Sequence, residues 1–291
     1  MAETYQIITD SSCDLSPALT ERLNVRVVPL LFSVDGKTYR NDTSEQGMDA
    51  AEFYNRLRAG AVAQTSGVNP ESFADAMRPA LSAGKDVLYI GFSSALSTTY
   101  QSACIAAEEL REEFPERKIL TVDSLCASLG QGLLVYLAAQ MQQQGLRLEE
   151  LQSRLFLLRF QICHCFTLKD LLYLKRGGRI SAATALAGTV LGVQPVMRMD
   201  DEGRLEQTGK IRGHKNAMRM LAGKVAQEAL RPEEQTVFIC HGGCPADAEF
   251  IAEEIRRQVS VKQIIVECLG PVIGAHTGPD VVSVFYVGEH R

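Results

Sequence analysis

The chain has 291 residues, 46% of them apolar and 22% charged, and a formal net charge of −5. It is too apolar to be disordered and long enough for a large core in one or two domains. The acidic balance argues against a general nucleic-acid binder, and no apolar run reaches the roughly 20 residues of a membrane helix. The N-terminus, Met1-Ala2-Glu3-Thr4-Tyr5, has neither the basic nor the apolar region of a signal peptide, so a cytoplasmic location is expected.

Strands alternate with helices through the first half. An apolar strand at 5–9 leads into an acceptor-rich turn, Asp10-Ser11-Ser12-Cys13-Asp14, and Ser16-Pro17 then opens a helix. Residues 25–32 read as one second strand. Asp35-Gly36 is a hairpin signal with a return strand at 37–40. An amphipathic helix at 49–59 precedes a hydroxyl-rich loop, residues 64–70, and a helix from Pro70. The run 87–92 is a buried strand, followed by Ser93-Ser94-Ala95-Leu96-Ser97-Thr98-Thr99-Tyr100 and a helix to about Leu110. A strand at 118–123, a small-residue turn, a helix ending near Gln144 and another over 147–158 complete a parallel α/β domain, residues 1–158.

The second half, residues 159–291, reads as a smaller α+β domain with a mixed sheet. Its first strand, 159–166, alternates at period two, as in a less buried sheet. Helices are expected at 168–174 and 181–191, then a hairpin of 193–199 and 204–212 about Asp200-Asp201-Glu202-Gly203. A helix at 215–230, a strand at 236–241, a helix at 245–259 and a strand at 263–269 follow. Residues 270–279 read as a glycine-rich turn before a last strand, 281–287.

In parallel sheets ligands bind beyond the C-terminal strand ends. The loops after Thr9, Phe92 and Asp123 lie there, and no Asp, Glu, Lys or Arg falls between Asp86 and Glu108. Neutral hydroxyls and free helix-start N–H groups there suit an anion, although such residues often only cap. Asp10, Asp14 and Asp123 at the same edge are the candidates for a different chemistry, Mg²⁺ binding in a stand-alone phosphotransferase. No Gly-X4-Gly-Lys-Ser/Thr motif accompanies them. Of the eight cysteines, Cys163-His164-Cys165 and Cys240-His241-Gly242-Gly243-Cys244 have short spacings that zinc uses. On a strand, however, Cys163 and Cys165 share one face and His164 takes the other, which favours buried thiols.

Six stretches in this order carry a resemblance: Thr9-Asp10-Ser11-Ser12-Cys13-Asp14-Leu15, Thr65-Ser66, residues 93–103, Val122-Asp123-Ser124, Leu171 to Ile180, and Gly270 to Pro279. With them the chain resembles, nearly end to end, the DegV family of bacterial fatty-acid-binding proteins, acyl-carrier subunits of the two-component fatty acid kinase. The resemblance implies a long-chain fatty acid in an apolar tunnel at and near the domain junction. It implies a carboxylate held by the residues matching Thr65 and Ser97, with His276 beside it. Arg179 and Arg212 match positions tied to the head-group network and to presentation to the kinase. The catalytic partner would bring ATP and Mg²⁺ and form acyl-phosphate for phospholipid synthesis. The chain itself would need no cofactor, bind no nucleic acid and insert stably in no membrane. Another lipid-like ligand is the alternative cargo. The chain departs from the family pattern at Thr98, where Gly is usual, at Gly67-Val68-Asn69-Pro70, and at Asp280, where Gly is common.

Overall fold

The structure is a computed structural model that describes residues 5–44, 46–182 and 192–291. The helix expected at 181–191 therefore lies almost wholly outside the described residues. The first sheet is four-stranded, parallel and ordered β2-β1-β6-β7, from β1 (Tyr5–Asp10), β2 (Val25–Val28), β6 (Asp86–Gly91) and β7 (Ile119–Asp123). Ile7, Ile8, Leu88, Tyr89 and Ile90 in its central strands are fully buried, as continuous apolar runs require when both faces are covered. α3 (Pro70–Ser82) and α4 (Thr99–Glu113) pack on each other and on this sheet, as do α5 (Leu129–Gln143) and α6 (Leu148–Leu158).

The second sheet is mixed and six-stranded. Its order is β10-β9-β8-β13-β11-β12, from β8 (Ile162–Thr167), β9 (Val193–Met199), β10 (Leu205–Arg212), β11 (Thr236–His241), β12 (Gln263–Cys268) and β13 (Val282–Val287). One face packs on α8 (His214–Glu228) and α9 (Pro245–Gln258) through Cys163, Cys165, Val284 and Tyr286. Against the other lies α5, which thus stands between the two sheets. β8 is buried at all six positions, although its alternation suggested a less buried sheet. Its alternating pattern reflects two different apolar neighbours rather than core and water.

A third, three-stranded antiparallel sheet, β4-β3-β5, was legible only as a hairpin. The single strand expected at 25–32 is broken at Pro29. β2 ends at Val28 in the parallel sheet, and β3 (Leu31–Val34) starts the new one and turns through Asp35-Gly36 into β4 (Lys37–Arg40). Proline has no N–H to give a ladder, and the next free amide, Leu30 N–H, donates to Ser11 Oγ at 2.9 Å. Residues 64–66, expected in a loop, belong to β5 (Ala63–Ser66), paired with β3 so that Thr65 stands opposite Phe32. α2 (Ala50–Arg58) and α10 (Pro271–Thr277) pack together, and α10 also lies on β3 and β5. α10 replaces the turn expected at 270–279. The short helix expected at 168–174 is α7 (Leu172–Arg176). Among the described residues no helix is long and apolar enough to cross a membrane.

Candidate functional site

A cavity of about 480 Å³ lies where the three sheets meet, lined mainly by apolar side chains. The volume suits a small ligand. Leu30, Phe92, Phe166 and Phe285 are among its walls, and Thr65, Ser97, Arg179 and His276 all line it. A second concavity, about 660 Å³, carries Asp14, Asp42, Asp49 and Glu267 and so has the wrong sign for an anion.

The polar end is assembled from four segments. Thr65, half-buried on β5, has Oγ1 2.8 Å from Nε2 of His276 in the last turn of α10. Ser97 precedes α4. Its Oγ accepts from Thr99 N–H at 3.2 Å and lies 2.9 Å from Thr99 Oγ1, so the same hydroxyl braces the helix start and faces the cavity. A Cβ on Gly67, two residues after Thr65, would stand 3.7 Å from Ser97 Oγ, which shows how closely the two loops approach. Arg179 follows α7. Its Nε and Nη2 donate to the Leu96 carbonyl at 3.2 and 3.0 Å, and Nη1 donates to the Gly177 carbonyl. The guanidinium thus fixes the peptide that carries Ser97.

Burial, with Arg179 nearby, pushes His276 down to about 4, so the imidazole is neutral at pH 7. Its Nδ1 is buried and has no hydrogen-bond partner among the described residues. A Cβ on Gly177 would stand 2.2 Å from that nitrogen, so only glycine lets α7's end meet the ring. Arg212 is exposed at the far end of β10 from Leu205 and does not line the cavity, although Leu205 does.

The other candidates are committed elsewhere. Asp10 accepts Ser12 N–H and the Ser12 hydroxyl on one oxygen, and Tyr89 Oη, Phe92 N–H and Gln131 Nε2 on the other. Asp14 takes the Ser128 hydroxyl at 2.6 Å and Gly270 N–H at 3.1 Å. Asp123 takes Ser94 and Leu125 N–H at 3.3 and 3.0 Å. These carboxylates hold the loops of the strand ends. Among the described residues no group of three or more His, Cys, Asp and Glu is arranged to hold a metal ion. Cys163, Cys165 and Cys240 are buried free thiols whose pKa burial raises.

Sequence reasoning did not select His164 or Ser128 for this cavity, yet both line it, as does Thr98, the departure next to Ser97. Period-two alternation was the available signal for His164, since it turns that ring away from the two thiols. Thr98 is the N-cap residue of α4 and makes no side-chain cap bond, so its hydroxyl stays free for the mouth. Asp280 has φ of 63°, which explains why glycine suits that position. Ion pairs to Arg58 at 2.8 Å and Lys169 at 2.9 Å hold it there.

Fold and site together define a two-domain α/β protein built round an apolar cavity whose hydroxyl-lined mouth also carries Arg179. A family model described as "Uncharacterised protein, DegV family" matches residues 4–289, and the chain belongs to the DegV family. A DegV domain-containing protein of Clostridium perfringens is 40% identical over 287 residues, 99% of this chain and 98% of that one. Among solved structures, a DegV family protein from Thermus thermophilus described as binding fatty acid is 34% identical. Its TM-score is 0.86, over 98% of this chain and 99% of that one. The fold alone is shared with the Streptococcus pneumoniae Fatty Acid Kinase (Fak) B3 protein, solved with linoleic acid. There the identity is 21% and the TM-score 0.83, over 98% of this chain and 100% of that one.

Proposed function

We propose that this chain binds a long-chain fatty acid and presents its carboxylate to a partner kinase, which phosphorylates it with ATP. The observation that carries the reading is one apolar cavity with Thr65, Ser97 and His276 gathered at one end. The fatty-acid binding described for the Thermus relative supports the cargo, and the kinase protein of the same fold supports the partner.

Thr65 must give its hydroxyl proton to the carboxylate. It can do so when His276 Nε2–H donates to Thr65 Oγ1. That tautomer leaves Nδ1 bare, which fits a buried nitrogen without a partner better than an orphaned N–H does. Ser97 supplies the second hydroxyl. Neutral donors fix the head group without a direct guanidinium clamp, so the oxygen stays nucleophilic toward a phosphoryl donor. Arg179 acts through the Leu96 carbonyl. Arg212, exposed, belongs to the face that meets the kinase. The chain works in the cytoplasm, where ATP is, and is a non-catalytic subunit without a cofactor of its own.

Mass spectrometry of lipid extracted from the purified protein tests the cargo, and a co-purified fatty acid is expected. Acyl-phosphate is expected only when the chain, a fatty acid kinase catalytic subunit and Mg²⁺–ATP are combined. Formation by the chain alone would overturn the carrier role.

A further inference from the structure

Resting on the fatty-acid reading, we propose that His164 is the stop that sets how long an acyl chain the cavity accepts. The cavity has a direction. Its polar end is His276 and Thr65, and β13 begins a few residues after α10, with Val281, just ahead of the strand, lining the cavity. Antiparallel register then pairs Ser283 with Phe166 and Phe285 with His164. All four line the cavity, in rows that lead away from the mouth. At roughly 3.4 Å per residue, Val281 and Phe285 stand about 14 Å apart. Beyond that row the inward positions are Ile162 on β8, in the solid core, and Val287 on β13, and neither lines the cavity. His164 and Phe285 are therefore the floor.

The imidazole is fixed on every side. Nε2 accepts Ala127 N–H at 3.3 Å, so the proton sits on Nδ1, which donates to the Ile162 carbonyl at 3.1 Å. The ring stands edge-on to Phe285, centroids 5.3 Å apart at 81°. Behind it is Gly130 of α5, where a Cβ would lie 1.9 Å from Nε2. Burial keeps the ring uncharged. A terminal methyl that reached it would have to displace the ring and break the Ala127 N–H bond to it. Met199, which register sets level with His164 on β9, has a flexible thioether and can yield. His164 cannot, so the stop is sharp.

The test is the affinity of the delipidated full chain for saturated fatty acids of increasing length, read by competition with a fluorescent fatty acid. Kd is expected to fall roughly fourfold per added methylene and then to break. His164→Ala moves the break to longer chains. His164→Asn moves it less, and Gly130→Ala, which drives the ring into the cavity, moves it to shorter ones. Thermal melts identify the folded variants. If His164→Ala does not fold, the other two decide. An unchanged break in the folded variants overturns the stop and leaves the fatty-acid reading standing. A wild-type chain that binds no member of the series overturns the reading, and the stop with it.

Discussion

At the mouth of the cavity, Thr65, Ser97 and His276 come from β5, the loop before α4, and α10, and each is half-buried. At the floor, His164, Phe166, Ser283 and Phe285 come from two adjacent strands and are buried. The mouth exists only once three segments distant in sequence have docked, whereas the floor rows are set by strand register, with Ala127 and Gly130 holding the His164 ring. Their energetic roles differ as well. Walls that bury an acyl tail give roughly 0.8 kcal/mol per CH₂, about 12 kcal/mol for a chain of about 16 carbons before binding costs. Hydrogen bonds to the charged head group give about 1.5–3 kcal/mol each. Affinity therefore resides in the walls, and orientation resides at the mouth.

The strongest way to break that contrast is to remove floor structure. Phe285 is 2% exposed and touches both His164 and the cavity. Phe285→Ala is expected to cost about 3–5 kcal/mol of folding stability in urea unfolding of the lipid-free protein. A cost near zero would mean that the floor is not packed as described.

Protonation separates the two ends more finely. Burial pushes His164 down to about 3 and His276 down to about 4, against 6.5 when unfolded. Between about pH 4 and 6.5 the unfolded chain holds both protons and the folded chain neither. Stability due to these rings is complete above 6.5 and is lost as pH falls through that window. Asp14 runs the other way. Desolvation raises it to about 7 from 3.8, so the folded state keeps a proton that the unfolded state releases, and its part declines as pH rises from about 4 to 7. The net of these three groups is about one proton, roughly 1.4 kcal/mol per pH unit. Asp14→Asn should steepen the rise of stability with pH by about one proton, roughly 1.4 kcal/mol per pH unit, in urea unfolding from pH 4.5 to 6.5. A fatty acid bound as proposed puts a carboxylate beside His276 alone, so NMR titration should show the His276 pKa rise and that of His164 stay. Equal shifts at both rings would contradict the assignment of ends.

Changes at the mouth are smaller. Thr65→Ala and Ser97→Ala are each expected to lose about 1.5–3 kcal/mol of fatty-acid affinity, measured by competition. Unchanged retention in both would remove the head-group role. Ser97→Ala should also shift the melt slightly, because that hydroxyl accepts Thr99 N–H, whereas Thr65→Ala breaks no backbone contact of its own.

How far the sequence could be read follows the same division. The parallel sheet was legible because Ile7, Ile8, Leu88 and Ile90 sit in unbroken apolar runs. The mouth elements were not. Ala63-Gln64-Thr65-Ser66 has no strand-like composition, and its strand is imposed by pairing with β3. α10 contains Gly274 and is bounded by Gly270 and Gly278, which locally signals a turn. Gly274 is there because a Cβ would meet Tyr54 Oη at 2.5 Å, and burial of Val272 and Ile273 outweighs helix propensity. Thr65, Ser97 and His276 could be named from the resemblance, but their convergence is tertiary. His164 was visible only as part of a metal-like spacing. Register and the glycine behind it give it a place in the floor.

The smallest expected effect concerns the residue that belongs to neither end. Arg212 is exposed on an edge strand, outside the cavity. Arg212→Ala should change folding stability by no more than about 0.5 kcal/mol, and the amount and length of bound fatty acid not at all. If Arg212 meets the kinase, acyl-phosphate formation falls at limiting kinase while lipid retention is unchanged, and added salt weakens the wild type toward the variant. A loss of bound lipid in Arg212→Ala would place this arginine in the head-group network after all. The mouth would then extend along β10, and the division between an orienting mouth and a length-setting floor would have to be redrawn.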